Sequence, residues 1–369
     1  MNARSKLREV LGPWLRRHPS IKRHFARADL NHDLIRHSLA PAFPSLIKPQ
    51  PRNLTIAITA YCNLRCIGCR YGRDFMPGAQ LAWPIARDLL NDAKLAGFES
   101  VRLYGGEPLL HPDLAKMVEH SIKLGLRTYV TTNGILLEEK IDELYGAGLR
   151  DFTIGFYGVG DHYDAYVQRK DRFTRLAAGI ASVRERYGLD VNLRLNWLLM
   201  RPSCNLEALR EAWNFADKFA APMQIDLIHY SLPYFTEGPD RMLQFRPEDR
   251  PEIEIIAAQL LRLKRDHPAM LDHSEVGLAS IPDWLVKGPE MKVPCDKYQM
   301  IWVGADGTVQ LCYVTFKLGN LHKKRLTEML FSEAHYQAAR DAYALRCPNC
   351  HCSYDARIQK HLPSRRNYS

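Results

Sequence analysis

The chain has 369 residues, 46% hydrophobic and 25% charged, with 51 Lys and Arg against 41 Asp and Glu. That length buries a full core, and the composition excludes disordered, collagenous and membrane-spanning classes, since no apolar run is long enough to cross a bilayer and no signal-peptide core opens the chain. The formal charge of +10 does not make the whole chain a nucleic-acid binder, because residues 1–50 hold ten Lys and Arg against three Asp and Glu, a local excess of +7.

In chain order, residues 3–17 put Leu7, Val10, Leu11, Trp14 and Leu15 on one helical face and Arg4, Arg8, Arg16 and Arg17 largely elsewhere. Two readings stand: an arm docked on the enzyme or on another subunit, and a basic amphipathic segment in peripheral contact with an anionic membrane face. Pro41, Pro44, Pro49 and Pro51 mark an irregular linker. Strand-like runs follow near 54–60, 100–104, 126–132, 151–156, 190–198 and 222–228. Helical runs alternate with them near 82–96, 112–124, 136–146, 173–187 and 205–219. Repeated βα units imply a parallel sheet with helices outside and chemistry at the carboxyl ends of the strands. Residues 236–293, helical around 248–266, read as a connector.

The chemistry is concentrated in cysteines. Nine are present, eight of them grouped, which points to metal ligation in a reducing, cytoplasmic compartment rather than to disulfides. Cys62, Cys66 and Cys69 occupy one loop after the first strand. Three thiolates fall short of the four protein ligands of a structural zinc. On a four-iron cube they leave one iron open to a small molecule. The second strand runs into Tyr104-Gly-Gly-Glu-Pro108. A later hairpin with an Asp306-Gly307 turn has Cys295 and Cys312 on its flanks, and Cys347, Cys350 and Cys352 follow. Four thiolates from two places can close on zinc or hold a complete four-iron cluster.

The CxxxCxxC loop followed by the GGEP segment resembles the signature of the radical S-adenosylmethionine (SAM) superfamily. The resemblance implies a partial (β/α)6 TIM-like barrel, an α/β fold, with a small Cys-rich α+β extension. It implies a catalytic [4Fe–4S] cluster on Cys62, Cys66 and Cys69, and SAM held by Gly105, Gly106, Glu107, Pro108, Asn133, Arg194 and Asn196. Gly155-Phe-Tyr-Gly158, with His162, Asp164, Arg169 and Phe173, resembles a family segment but carries Gly155 and Tyr157 where Ser and Asp are usual. Gly68 stands where many members have an aromatic residue, which implies an altered adenine contact. The last cysteine group resembles SPASM/Twitch extensions, implying a second, auxiliary [4Fe–4S] cluster on Cys295, Cys312, Cys347 and Cys350, with Cys352 as a spare or alternative ligand. The chain thus divides into an N-terminal extension (1–50), barrel (51–235), helical connector (236–293) and auxiliary-cluster region (294–369).

The function expected is reductive cleavage of SAM to a 5′-deoxyadenosyl radical. That radical abstracts hydrogen from a small molecule, sugar or lipid, for net oxidation or rearrangement. The alternative is maturation of a ribosomal peptide, which the short N-terminal extension, too small for a leader-binding module, disfavours. From another class come an iron–sulfur electron carrier and a zinc-stabilised binding protein. An external one-electron reductant of the flavodoxin or ferredoxin kind is implied, and no nucleic acid. His229 and Tyr230 end the sixth strand and are candidates for proton transfer. His111 and Cys204 read as structural.

Overall fold

A computed structural model describes residues 19–71, 76–229, 242–313 and 315–369, with side chains of the first helix described from residue 28 onward. The amphipathic run at 3–17 and Tyr230 lie outside the described residues. Among the described residues the first element is a helix, α1 (Pro19–Leu39), and the core then alternates. Its six strands are β1 (Asn53–Thr59), β2 (Ser100–Gly105), β3 (Arg127–Thr132), β4 (Asp151–Phe156), β5 (Asn192–Leu199) and β6 (Met223–Leu227). The intervening helices are α2 (Trp83–Ala96), α3 (Leu114–Lys123), α4 (Leu137–Gly146), α5 (Asp161–Val167), α6 (Arg172–Tyr187) and α7 (Leu206–Lys218). Helices α8 (Arg250–Asp266), α9 (Glu275–Ala279) and α10 (Ile281–Lys287) come next.

The sheet runs β6-β5-β4-β3-β2-β1, all parallel, the partial TIM-like barrel of an α/β fold. Strand alternation decides which side chains face outward. On β5, Leu193, Leu195, Trp197 and Leu199 are buried against helices, while Arg194, Asn196 and Leu198 on the opposite face are half-buried. The same period puts Arg102 and Tyr104, Tyr129 and Thr131, and Gln224 and Asp226 on the lumen side of their strands.

The sheet does not stop at β1. A strand from the C-terminal region, β7 (Met300–Val303), pairs parallel with β1, from Asn53 opposite Met300 to Ile56 opposite Val303. Strands β8 (Thr308–Gln310) and β9 (Lys317–Asn320) extend it antiparallel. The turn between β7 and β8 closes on Gly307, whose φ of 79° suits glycine. The extension is therefore hydrogen-bonded into the core sheet. Its remaining helices are α11 (Leu326–Met329), α12 (Glu333–Tyr343), α13 (Tyr354–Lys360) and α14 (Leu362–Asn367).

Helix α1 seals the outer side of this extension. Its Arg36 and His37 meet the Tyr298 hydroxyl at 2.7 and 2.8 Å. Lys360 bridges Asp33 at 3.5 Å and Asp296 at 2.8 Å. No described helix is long and apolar enough to cross a membrane.

Candidate active site

The cysteine loop leaves the carboxyl end of β1 and is pinned to α5 by backbone bonds from Arg65 N to Val167 O (3.1 Å) and Ile67 N to Tyr166 O (3.0 Å). Cys69 N folds back onto Cys66 O at 3.2 Å, which turns the loop. All three thiols line one cavity of about 180 Å³, together with Gly105, Gly106 and Asn133.

The Gly-Gly-Glu segment explains its own composition. A Cβ on Gly105 would lie 2.2 Å from Thr59 O, and one on Gly106 would lie 2.3 Å from Tyr61 O. Only glycine lets the turn after β2 run against the β1 exit, where Gly106 N and Glu107 N donate to Thr59 O and Tyr61 O at 2.7 Å each. Glu107 then ties in the β3 exit. Its fully buried carboxylate accepts from Thr132 Oγ1 at 2.7 Å, Asn133 N at 2.8 Å and Leu109 N at 2.9 Å. Burial pushes its pKa up to about 7, although those three donors pull the other way.

The structure places the expected SAM residues at different distances from this cavity. Glu107 and Pro108 do not line it, and the Glu107 oxygens accept from the β3 turn. Arg194 also lies outside it. Two residues nearer the amino end of β5 than Asn196, it forms an ion pair with Asp272 at 2.6 Å. Asn196 does line the cavity and donates to Asp226 Oδ2 at 3.2 Å. Asn133 stands beside the cysteine loop, its amide donating to Asn63 Oδ1 at 2.7 Å. His229 lines the cavity from the end of β6. The side-chain space at Gly68 is taken by the Tyr166 hydroxyl and Leu243, each 3.0 Å from a built Cβ. Gly155 leaves room for the Tyr157 phenol, which would lie 2.7 Å from a Cβ there.

Cys295, Cys312, Cys347, Cys350 and Cys352 line a second cavity with Lys297, Tyr313 and Arg357. Cys350 and Cys352 share a hydrogen bond that favours one thiolate of the pair, lowering Cys350 and raising Cys352. Among the described residues no three His, Cys, Asp or Glu side chains close on a single metal ion. Arg357 supplies a second test of fit. It is 1% exposed, its Nε has no hydrogen-bond partner, and no carboxylate pairs with it among the described residues. A buried cation without a counter-ion is costly, and metal-bound thiolates would supply the missing negative charge.

The profile of the Radical SAM superfamily matches residues 56–198, the stretch from β1 through β5, and that of the SPASM iron–sulfur cluster-binding domain matches residues 295–353. The chain carries a radical SAM domain followed by a SPASM domain. A curated relative named "Probable GTP 3′,8-cyclase" from Methanothermobacter thermautotrophicus is 32% identical over 176 residues, 47% of this chain and 56% of that protein. An "AdoMet-dependent heme synthase" from Methanosarcina barkeri is 28% identical over 174 residues, 46% of this chain and 48% of the other. The chain thus spans about half the length of these radical SAM relatives. Streptococcus suis SuiB bound to its precursor peptide SuiA shares the fold at a TM-score of 0.61 and 17% identity, over 82% of this chain and 69% of that one. So does anSMEcpe with bound AdoMet and a peptide, at 0.62 and 15%, over 79% and 84%. The radical SAM domain implies a [4Fe–4S] cluster with SAM, and the SPASM domain implies auxiliary iron–sulfur clusters.

Sequence reasoning named Asn196 but passed over Arg102, Asp226 and Tyr313 between the two centres. Arg102, Thr131, Asn196 and Asp226 line both the cysteine cavity and a larger lumen cavity of about 550 Å³. Arg102 donates from Nη1 to the Tyr313 hydroxyl at 2.8 Å and from Nε to Thr131 at 2.9 Å, with its guanidinium 4.7 Å over the Tyr104 ring. Tyr313 follows Cys312 directly, so this contact joins the walls of the two cysteine cavities. The His229 and His351 rings, 6.2 Å apart, make a second junction. Alternation on β2 could have flagged Arg102, since it shares a face with Tyr104; nothing in the sequence places Tyr313 against it.

Proposed function

We propose that this enzyme abstracts a hydrogen atom from a small polar molecule held in the barrel lumen and completes a two-electron oxidation with the help of the auxiliary centre. Cys62, Cys66 and Cys69 would hold the catalytic cluster, with Gly105, Gly106, Asn133 and Asn196 around SAM. Cys295, Cys312, Cys347 and Cys350 would hold the auxiliary one. Bound together, cluster and SAM supply a 5′-deoxyadenosyl radical. The chain's own residues orient the substrate, exclude water and receive its proton.

One observation carries the reading. The lumen cavity shares four polar side chains with the cysteine cavity, so a molecule in the first abuts the second. At about 550 Å³ it lies within the usual size of a ligand site. A lumen presenting Arg102, Thr131, Asn196 and Asp226 suits hydroxyls, amides or charged groups and leaves buried donors unpaired against a lipid chain. The relatives named GTP 3′,8-cyclase support a polar small molecule. Peptide maturation is supported by the fold shared with SuiB and anSMEcpe, each solved with a peptide. His229 and Asp226, which both line the cysteine cavity, are the candidates this reading offers for taking the substrate proton.

The test is anaerobic reconstitution with SAM and a one-electron reductant, followed by mass spectrometry. The wild type is expected to release 5′-deoxyadenosine. Deuterated polar substrates are expected to pass deuterium into it. 5′-Deoxyadenosine from the chain with Cys62, Cys66 and Cys69 all replaced by Ala would refute the site assignment.

A further inference from the structure

The second cysteine cavity is lined by two cations, Lys297 and Arg357, that make no ion pair within 4.0 Å among the described residues. Arg357 donates from Nη1 to Cys350 O at 2.5 Å and from Nη2 to Asn349 Oδ1 at 3.0 Å and to Val293 O. Its guanidinium lies 4.7 Å over the Trp284 ring. All these partners are neutral, and Arg remains protonated in any protein setting. Lys297, two residues after Cys295, lines the same cavity. It forms no ion pair within 4.0 Å among the described residues, and its neighbour Asp296 is engaged by Lys360 at 2.8 Å. Asp296 acts on Lys297 and Arg357 as well as on Lys360, so three cations surround this one carboxylate and positive charge remains in excess beside the thiols.

A buried charge acts strongly on its neighbours because little solvent screens it. A fully ligated four-iron centre carries an excess of negative charge from its thiolates, and the potential of such a centre follows local charge and hydrogen bonding. Adding an electron to it is easier when cations stand beside it. Arg357 bonds the backbone oxygen of Cys350 itself, and Lys297 approaches from the Cys295 side, so the two flank the centre from different segments of the chain.

We propose that Lys297 and Arg357 are positioning residues that raise the reduction potential of the auxiliary centre, poising it as the acceptor of the electron left on the substrate. The inference rests on the auxiliary site holding a four-iron cluster. The electron count closes as follows. An external flavodoxin- or ferredoxin-type carrier donates one electron, which breaks the SAM carbon–sulfur bond and releases methionine. The substrate loses one hydrogen atom to the 5′ carbon, one proton to a lumen base and one electron to the auxiliary centre. That electron leaves to the oxidised carrier, so the substrate is oxidised by two electrons with no net consumption of reductant.

The experiment is a redox titration followed by electron paramagnetic resonance, on the full chain with Cys62, Cys66 and Cys69 replaced by Ala so that only the auxiliary centre remains. Lys297→Met and Lys297→Gln are expected to keep about four irons per chain and to shift the midpoint to more negative potential. Lys297→Arg is expected to stay near the parent value. Arg357→Met is expected to shift in the same direction where it folds. A fully loaded Lys297→Met protein with the parent midpoint would overturn the proposal. So would Lys297→Arg moving as far as Lys297→Met, which would make the effect one of packing. Zinc in place of iron in the parent protein overturns it as well, by removing the cluster on which it rests.

Discussion

Glu107 offers a quantitative check on how the two motifs are joined. Its carboxylate is fully buried, receives three donors and titrates at about 7 against an ordinary 4.5. Between those values the unfolded chain has lost its proton and the folded chain keeps it. The stability linked to Glu107 is therefore full below about 4.5 and is lost as the pH rises toward 7. At roughly 1.4 kcal/mol per pH unit, the loss amounts to about 3 kcal/mol. Glu107→Gln removes that pH dependence. The amide oxygen can still accept from Leu109 N and Thr132, but the amide NH2 faces Asn133 N, a donor against a donor, which costs about 1–3 kcal/mol. The variant should thus be less stable than wild type near pH 5 and equal to it or more stable near pH 8. Urea denaturation under anaerobic conditions, followed by circular dichroism across that range, measures the difference. A gap between the two proteins that stays constant from pH 5 to pH 8 would show that Glu107 does not titrate as its burial requires.

Gly105→Ala should cost roughly 3–5 kcal/mol and strip SAM binding, because φ is 151° and the new Cβ would lie 2.2 Å from Thr59 O. A variant that melts like wild type would exclude the close approach of the two strand exits. Lys360→Met removes the cation between Asp33 and Asp296, and should destabilise the protein by roughly 3–5 kcal/mol and expose α1 to protease. An unchanged cleavage pattern would argue against that clamp. Because its surrounding cations hold Asp296 near 2 against burial, its stabilising contribution is present above the ordinary 3.8 and is lost as the pH falls toward 2. The Cys347/Cys350 double Ala variant should lose about four irons per chain while the catalytic centre stays loaded. Iron analysis decides this, and unchanged iron with lost zinc would reassign the site.

Much of the fold was legible because its signals are local. Six βα repeats, each strand bounded by an apolar helix, leave few alternatives to a parallel sheet with chemistry at its carboxyl edge. The strand expected at 222–228 is observed at Met223–Leu227, and the helix expected at 136–146 at Leu137–Gly146. The short helix Asp161–Val167 was missed, and it is the one whose last carbonyls hold the cysteine loop. Seven residues after a glycine-rich turn give too few periods to stand out. The candidate site was legible in its cysteines and glycines, whose chemistry and steric need are properties of the residue type. It was less legible where a side chain could face the same lumen at two depths. Arg194 and Asn196 share a face of β5, yet only Asn196 reaches the cysteine cavity.

The sequence by itself determined the order of the metal-binding loops, the parallel alternation and the side of each strand that meets the helices, because these depend on neighbours a few residues apart. Only the tertiary structure decided that Glu107 is a brace between strand exits, that β7 docks beside β1, and that Arg102 reaches a tyrosine 211 positions away. Those contacts join residues from different strands. Sheet order and register set which of them meet, and neither is written in any short stretch of the chain.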